Sequence, residues 1–547
     1  MERLTSPLGA FTYWANQNSD RIFLRQPINR NFKEYSYGDA FNEASKIASG
    51  LHAMGIQKGD HIALLSKNCA HWMMADLAIM MAGCISIPIY PTLGADSINQ
   101  ILVHSESKAV IIGKLDDYSK QKDGIPDIPA IGVELYDIAE RFSWEDLVKS
   151  NAPIENPHEQ THQELMTIMY TSGTTGNPKG VMHTVGSFDQ LINTAIEVIK
   201  LPQNPAYFSY LPMTHIAERA GIEMSAIYRG ATVSFPESLD TFAEDLSSVQ
   251  PDTFFGVPRI WQKFQEKILE KMPQEKLDKL LGIPIVKSLV RKKIKKALGL
   301  SNSKANFSGA APIAVSLKEW FKKLDVDICQ AYGMTEDCIL SHFNLPGQNK
   351  FGTVGKPLPG VTAKLSAEEE ILIKSNCLMK GYYKEEEKTA EMFTSDGFLR
   401  TGDIGEFDHD GYLTITGRVK DQFKTDKGKY ISPAPIELEM LKNTDIDQIC
   451  IVGTGIPQPI ALIVPSEIGR AKSKEELDQS LIKTIEGINP TLEKHEKLAK
   501  AVIMNEEWTV DNGLMTPTLK VKRNRVEGIH KEMYPQWFEH KASVVYE

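Results

Sequence analysis

Residues Tyr170 to Gly180 read YTSGTTGNPKG; they continue the apolar run Leu165 to Tyr170 and precede a helical pattern beginning near Ser187. This context predicts a strand, a loop and a helix. Small residues in the loop let backbone N–H groups approach a phosphate, four hydroxyls can donate to its oxygens, and Lys179 can neutralise charge. The common nucleotide P-loop needs Gly-Lys-Ser/Thr, whereas Lys179 lies between Pro178 and Gly180, so simple kinase and ATPase analogies lose weight. A purely structural Gly/Thr turn is the alternative, but a turn has no need of four hydroxyls and a lysine.

Upstream of this loop, helical and apolar segments alternate. A helical stretch from Ala40 to Met54, a turn at Gly55 and Gly59 and a strand from His61 to Leu65 are followed by Ile85 to Tyr90, Ser97 to His104 and Ala109 to Gly113. Such alternation predicts α/β layering with parallel strands. The polar, Pro-containing stretch Ser150 to Glu164 is either a subdomain seam or a surface loop. Downstream, Asp408 to Gly411 forms a turn, Tyr412 to Thr416 a strand and Gly417 to Lys420 a charged junction, where the major boundary is placed. The expected architecture is a large N-terminal domain of layered α/β subdomains (1–417) and a small mobile α+β C-terminal domain (418–547). In the latter, a helix is expected around Pro435 to Leu441, with strands at Gln448 to Gly453 and Ala461 to Val464.

A chain of 547 residues exceeds what one compact core holds, and 42% hydrophobic with 24% charged residues fits an ordinary globular enzyme. The formal net charge of -10 disfavours nucleic acid as a partner, so any anion site must be built locally. Six scattered cysteines without a CxxC pair resemble neither a disulfide framework nor a zinc site, which favours a reducing, cytoplasmic setting. The N-terminus lacks the basic and long apolar stretches of a secretory signal, and the most apolar run, Leu77 to Ile89, reads as buried helix and strand. Between Gln265 and Leu300, Lys287, Arg291, Lys292, Lys293, Lys295 and Lys296 interleave with apolar residues. Residues 280–300 are therefore read either as the solvated face of a surface helix or as a contact with the inner, anionic face of a membrane.

YTSGTTGNPKG resembles the signature of the adenylate-forming superfamily. Further stretches match in order: LPMTHIAER (Leu211 to Arg219), GVPRIW (Gly256 to Trp261), SGAAPI (Ser308 to Ile313), QAYGMTE (Gln330 to Glu336), RTGDIGEFDHDGYLTITGRVKDQFK (Arg400 to Lys424) and NGLMTPTLKVKR (Asn512 to Arg523). LPMTHIAER, GVPRIW and TPTLKVKR are closest in form to the long-chain and bubblegum-type fatty acyl-CoA synthetases. The resemblance implies an ATP site made by Thr171, Ser172, Gly173, Thr174, Thr175, Gly176 and Lys179 at the phosphates, and by Gly309, Ala310, Gln330, Ala331, Tyr332, Gly333 and Thr335 around the adenine. Tyr332 offers a flat face for the base. Glu336, with Thr171, is implied for magnesium, which takes one or two protein oxygens beside substrate phosphates and waters. Asp403 can accept hydrogen bonds from both ribose hydroxyls, and Arg418 is implied at ribose or phosphate. His215 is implied at the acyl substrate, as a wall rather than a base, and His183 is given no metal role because no second ligand stands at suitable spacing. Lys520 is implied as the catalytic lysine, Lys420 as the hinge and Gly428 as part of the coenzyme A-side loop. Leu519 stands where many relatives have glycine, which favours the long-chain branch. Lys522 and Arg523 read as solvated charges.

The implied chemistry is attack of a carboxylate on the α-phosphorus of ATP, then transfer of the acyl group to coenzyme A after rotation of the small domain. The expected partners are a fatty acid, ATP and coenzyme A, with no expectation for oligomeric state. Three rivals predict other products or none: an acyl-AMP ligase that loads a carrier protein, a non-catalytic acyl-nucleotide-binding regulator, and a γ-phosphoryl-transferring kinase.

Overall fold

The computed structural model describes residues 3–171, 178–516 and 519–547. Ser172 to Gly176 lie outside these. An eight-stranded sheet organises the first part of the chain. Across it run Gly381–Tyr382, Lys179–Thr184, Leu165–Thr171, Ile85–Ile89, His61–Leu65, Ala109–Ile112, Ala130–Gly132 and Phe142–Ser143. The six strands from Leu165–Thr171 to Phe142–Ser143 run parallel, as helix-strand alternation predicts. The helix Ala70–Met81, AHWMMADLAIMM, is buried on every side, so its apolar residues follow no single stripe.

One expectation changes here and one open alternative is decided. The phosphate loop does not lead into a helix: Lys179–Thr184 is a strand that returns antiparallel to Leu165–Thr171, with Thr171 opposite Lys179. Val181 and His183 point inward along it, and the helix Val185–Val198 starts only after Thr184 caps its N-terminus. A six-residue strand with a histidine and a threonine is too short for periodicity to separate from the helix that follows. Residues 150–164 are not a seam. Strands on either side of that stretch lie in the one sheet, and the stretch is tied to it by Ile154 N–H donating to the Ser45 hydroxyl and by Glu164 accepting from Lys58 and His158.

A second sheet holds Thr253–Gly256, Ala305–Ser308 and Ile328–Tyr332 in parallel, followed by antiparallel His342–Phe343. An antiparallel sheet follows, of Thr362–Leu365, Glu370–Lys374, Leu399–Phe407 and Leu413–Arg418. Its last strand runs two residues beyond the expected Thr416, which puts Arg418 directly across from Asp403. Beyond it, Ile446–Val452, Ile460–Pro465, Lys500–Ile503 and Val544–Tyr546 form a four-stranded sheet, and the helix expected near 435 spans Pro433–Met440. The two apolar clusters on this sheet draw on no buried residue before Phe423. Among the described residues, no helix is long and apolar enough to cross a membrane.

Candidate functional site: a carboxylate, two cations and a hairpin lysine

Three residues from two sheets meet at one carboxylate. Tyr332, the last residue of Ile328–Tyr332, donates its hydroxyl to Asp403 Oδ2 at 2.8 Å, and Arg418 Nε donates to Asp403 Oδ1 at 2.5 Å. The Asp403 backbone N–H is held by the Thr401 hydroxyl. Asp403 is buried while the Arg418 side chain is half exposed, so a fixed acceptor sits beneath a cation open to solvent. Each carboxylate oxygen keeps a second lone pair, enough for a pair of vicinal hydroxyls. Beside Tyr332 the backbone is shaped for close approach. A side chain at Gly309 would place its Cβ 2.9 Å from the Ala331 carbonyl, and one at Gly333 would meet the Ile339 backbone at 2.7 Å. Ala310 adopts φ +65°, a left-handed conformation costing a non-glycine residue about 1 kcal/mol or more. Gln330 and Ala331 are half-buried on the same strand.

Lys179, Tyr382 and Glu336 form a second cluster. The Lys179 ammonium lies over the Tyr382 ring, 4.8 Å from its centroid, and the Tyr382 hydroxyl donates to Glu336 Oε1 at 2.7 Å. Gly381–Tyr382 pairs with Lys179–Thr184, opposite Met182 and Val181, which carries Tyr382 to the lysine. Sequence reasoning missed Tyr382. The short GYY run at 381–383, a glycine and two aromatics after an apolar strand, was its only signal. Thr335 is oriented by His183, which is fully buried and donates from Nε2 to the Thr335 carbonyl at 2.6 Å; burial pushes the imidazole down to about 4. The neutral ring thus braces the turn. Next to Glu336, Asp337 is fully buried, accepts from the Met334 N–H and leaves Oδ2 without a partner; burial raises its carboxyl to about 8.

A magnesium ion fits this cluster. Glu336 is half-buried, with one oxygen engaged by Tyr382; among the described residues the other meets no hydrogen-bond donor and no closed cage of three ligating side chains exists. One carboxylate beside phosphate oxygens and waters is the usual magnesium environment. Thr171, at the end of its strand and opposite Lys179, is on the same edge.

The third group reaches in from the C-terminal portion. Lys520 lies in a loop pinned at both ends: its N–H donates to the Thr516 hydroxyl, its carbonyl accepts from Thr516, and Met515 bridges to Val521. Burial, then the Arg418 charge, brings the Lys520 ammonium down to about 8, with Asp403 and Asp421 opposing. Burial first and the Lys520 charge second push His215 down to about 3, so the imidazole is neutral and lies within the field of that ammonium. Its Nδ1 accepts from the Ala217 N–H, capping the short helix Ile216–Glu218, and that nitrogen has no proton to donate. Leu519 takes φ +61° while packing against the small sheet's core. Arg523 is not a solvated charge: its guanidinium donates to Glu437 and to the Ile451 carbonyl, both at 2.5 Å, and anchors the loop's far side.

Behind His215, Glu218 and Arg219 are interior. Glu218 accepts from the Ser209 hydroxyl and the Tyr210 N–H, and burial raises it to about 8. Arg219 donates to both Asp76 oxygens at 2.7 Å and to the Thr167 hydroxyl at 2.6 Å. Glu223, 3.6 Å from Arg219 and fully buried, has both oxygens without a hydrogen-bond partner; burial, with Asp76 adding, drives it well above the carboxylate range. Removing one member of such a buried group costs about 3–5 kcal/mol, since it strands the others. Arg219–Met224, which carries Arg219 and Glu223, is a π-helical turn, a local widening of the helix.

Lys420 and Gly428 are not brought to this site. Lys420 is exposed between Leu413–Arg418 and the hairpin Phe423–Lys424/Tyr430–Ile431, whose turn holds Gly428 at φ +72° with nothing within 4 Å of where a Cβ would stand.

The sequence profile of AMP-binding enzymes matches residues 11–383, and that of the AMP-binding enzyme C-terminal domain matches 420–534. The chain is 28% identical to the long-chain-fatty-acid–CoA ligase FadD15 of Mycobacterium bovis, covering 93% of this chain and 92% of that protein. It is 27% identical to the long-chain-fatty-acid–CoA ligase ACSBG2 of Xenopus laevis, over 97% and 83% of the two chains. The fold is similar to the A-PCP didomain of carboxylic acid reductase from Segniliparus rugosus in complex with AMP, with TM-score 0.81, 21% identity and coverage of 98% and 82%. It is also similar to ATP-bound MatB from Rhodopseudomonas palustris, with TM-score 0.76, 22% identity and coverage of 97% and 100%.

Proposed function

Because the chain belongs to the AMP-binding enzyme family, we propose that it joins ATP to a long-chain fatty acid, giving acyl-AMP and pyrophosphate, and then passes the acyl group to coenzyme A. The observation that carries this reading is the convergence of Lys520, from the C-terminal portion, on the Tyr332–Asp403–Arg418 group and His215. A kinase acting on the γ-phosphate has no use for a lysine aimed at the nucleoside end. Asp403 holds the ribose, Tyr332 and the backbone at Gly309 and Ala310 flank the base, and Lys179 binds the departing pyrophosphate. Lys520 offsets the charge that develops on the carboxylate and α-phosphate oxygens. Glu336 would hold Mg2+, which when bound neutralises phosphate charge. The small domain, 418–547, then turns about Lys420 and brings Gly428 to the thioester side.

Long-chain relatives at 28% and 27% identity support the substrate class. A second feature fits a poorly soluble substrate. The helix Pro284–Ala297 and the residue before it expose Ile283 (51%), Ile285 (79%) and Leu289 (65%), beside the exposed Lys292, Lys293 and Lys296. Apolar wedges next to basic residues suit an anionic bilayer. Flotation on anionic but not neutral vesicles, weakening with salt, is expected; equal behaviour on both lipids ends this part of the reading.

The test of activity is pyrophosphate release across a panel of acids, with and without coenzyme A. Release should require Mg-ATP and an acid, long-chain acids should outperform acetate and benzoate, and thioester should form with free coenzyme A. Acetate or benzoate as the best acid removes the long-chain assignment; adenylate without thioester favours a carrier-loading ligase; ADP as product overturns the reading.

A further inference from the structure

The helix Pro258–Lys271 carries Arg259, Lys263 and Lys267 four residues apart, which stacks them on one face. That face meets carboxylates of the C-terminal portion. Arg259 Nη2 donates to Asp447 Oδ2 at 2.9 Å and to Glu507 Oε1 at 2.5 Å, and Lys267 lies 3.7 Å from Glu467. Lys263 pairs with Glu266 on its own helix and also feels Asp447 and Glu467. Arg259 has a third contact: Nη1 donates to the Met515 sulfur at 3.4 Å. Met515 bridges to Val521, so it forms one wall of the loop that presents Lys520, and its sulfur also accepts from Gln448. One guanidinium from the large domain therefore holds the small domain's sheet edge at Asp447, the loop at Glu507 and the base of the Lys520 loop together. The Arg259 side chain is 18% exposed and Asp447 5%, so water competes weakly for the bond between them, whereas Glu507 is partly exposed.

We propose that Arg259 is a positioning residue for the first half-reaction, a clamp that fixes the small domain in the orientation that delivers Lys520 and must release before the second half-reaction. The proposal rests on the acyl-adenylating reading above. Rotation of the small domain carries Asp447, Glu507 and Met515 away from Arg259 together, so the clamp acts on one orientation only. Lys263 and Lys267 add charge along the same face, paired with Glu266, Glu270 and Glu467.

The test compares the two half-reactions in the full-length enzyme. Arg259→Ala should slow pyrophosphate release with fatty acid by about tenfold or more, yet convert supplied acyl-adenylate and coenzyme A within about twofold of wild type or faster. Arg259→Lys should fall between, because a single ammonium lacks the fork that reaches two carboxylates and a sulfur at once. A purely structural role would lower both halves together; that result, or no loss of the first half, overturns the clamp. A second readout needs no turnover. All six native thiols are buried, so spin labels at Glu275→Cys and Glu475→Cys, both exposed, report the distance between the domains. Arg259→Ala should broaden a narrow wild-type distribution, and an unchanged distribution overturns the proposal. Should the wild-type enzyme adenylate no acid, the functional reading fails and the distance measurement alone decides the clamp.

Discussion

The C-terminal portion presents two loops with opposite surroundings. The loop around Lys520 is pinned by Thr516, Met515 and Arg523 and faces Asp403, Arg418 and His215. The hairpin turn around Gly428 stands in open space, flanked by the exposed Lys427 and Lys429. Both belong to the same sheet-bearing unit, so on the proposed mechanism one rigid rotation exchanges the loop that faces the nucleotide. On the proposed mechanism, this structure holds the arrangement for acyl-adenylate formation, and the Gly428 turn waits for the other.

The sharpest way to break that contrast is Lys520→Ala. Loss of a charge aimed at the reacting oxygens should lower pyrophosphate release by about 10²- to 10³-fold, while supplied acyl-adenylate and coenzyme A still give thioester in a quenched-flow assay. Equal loss of both halves would mean that the loops do not divide the work. Gly428→Leu should do the reverse. Adenylate accumulates, and thioester formation slows by about tenfold, because φ +72° strains any branched side chain and its bulk obstructs an approach path. Gly428→Asn, which tolerates that backbone, should keep most thioester formation; if Asn and Leu behave alike, the path is not narrow there.

The smallest effect is in the pH profile. Lys520 sits near 8, below the ordinary lysine value, so its charge is present below that pH and lost above it. The kcat/KM for pyrophosphate release should therefore decline as pH rises through about 8, a limb that thioester formation lacks. Lys520→Arg stays charged throughout and should remove the limb at reduced rate. The same limb in both half-reactions would assign it to another group.

The parallel strands were legible because each one in the eight-stranded sheet's middle is a short apolar run set off by turns, and His61–Leu65, Ile85–Ile89 and Ala109–Ile112 match their expected places. The strand after the phosphate loop was hidden: Lys179–Thr184 is half polar and abuts a helix. For the site, ordered motifs pointed to Tyr332, Asp403, Arg418 and Lys520, and the structure brings these four together. Tyr382 escaped because a two-residue strand has no period and its partners, Lys179 and Glu336, lie far away in sequence. Arg259 escaped because a lone arginine in a helix's first turn reads as solvated; only tertiary structure supplies Asp447 and Glu507. The misreading of Arg523 has the same cause, since Glu437 is distant in sequence.

Glu218, Glu223 and Asp337 share a property that reaches beyond the site. Each is buried and held far above the ordinary carboxylate value of about 4, the first and last near 8. At neutral pH these three carboxyls therefore keep protons that the unfolded chain releases, which makes the folded chain's net charge less negative than the formal -10. Folding is coupled to proton uptake. For an acid whose folded pKa lies above its unfolded one, stability falls as pH rises between the two, here from about 4 to about 8. The heat absorbed on unfolding near neutrality must then vary with the ionisation enthalpy of the buffer that receives those protons.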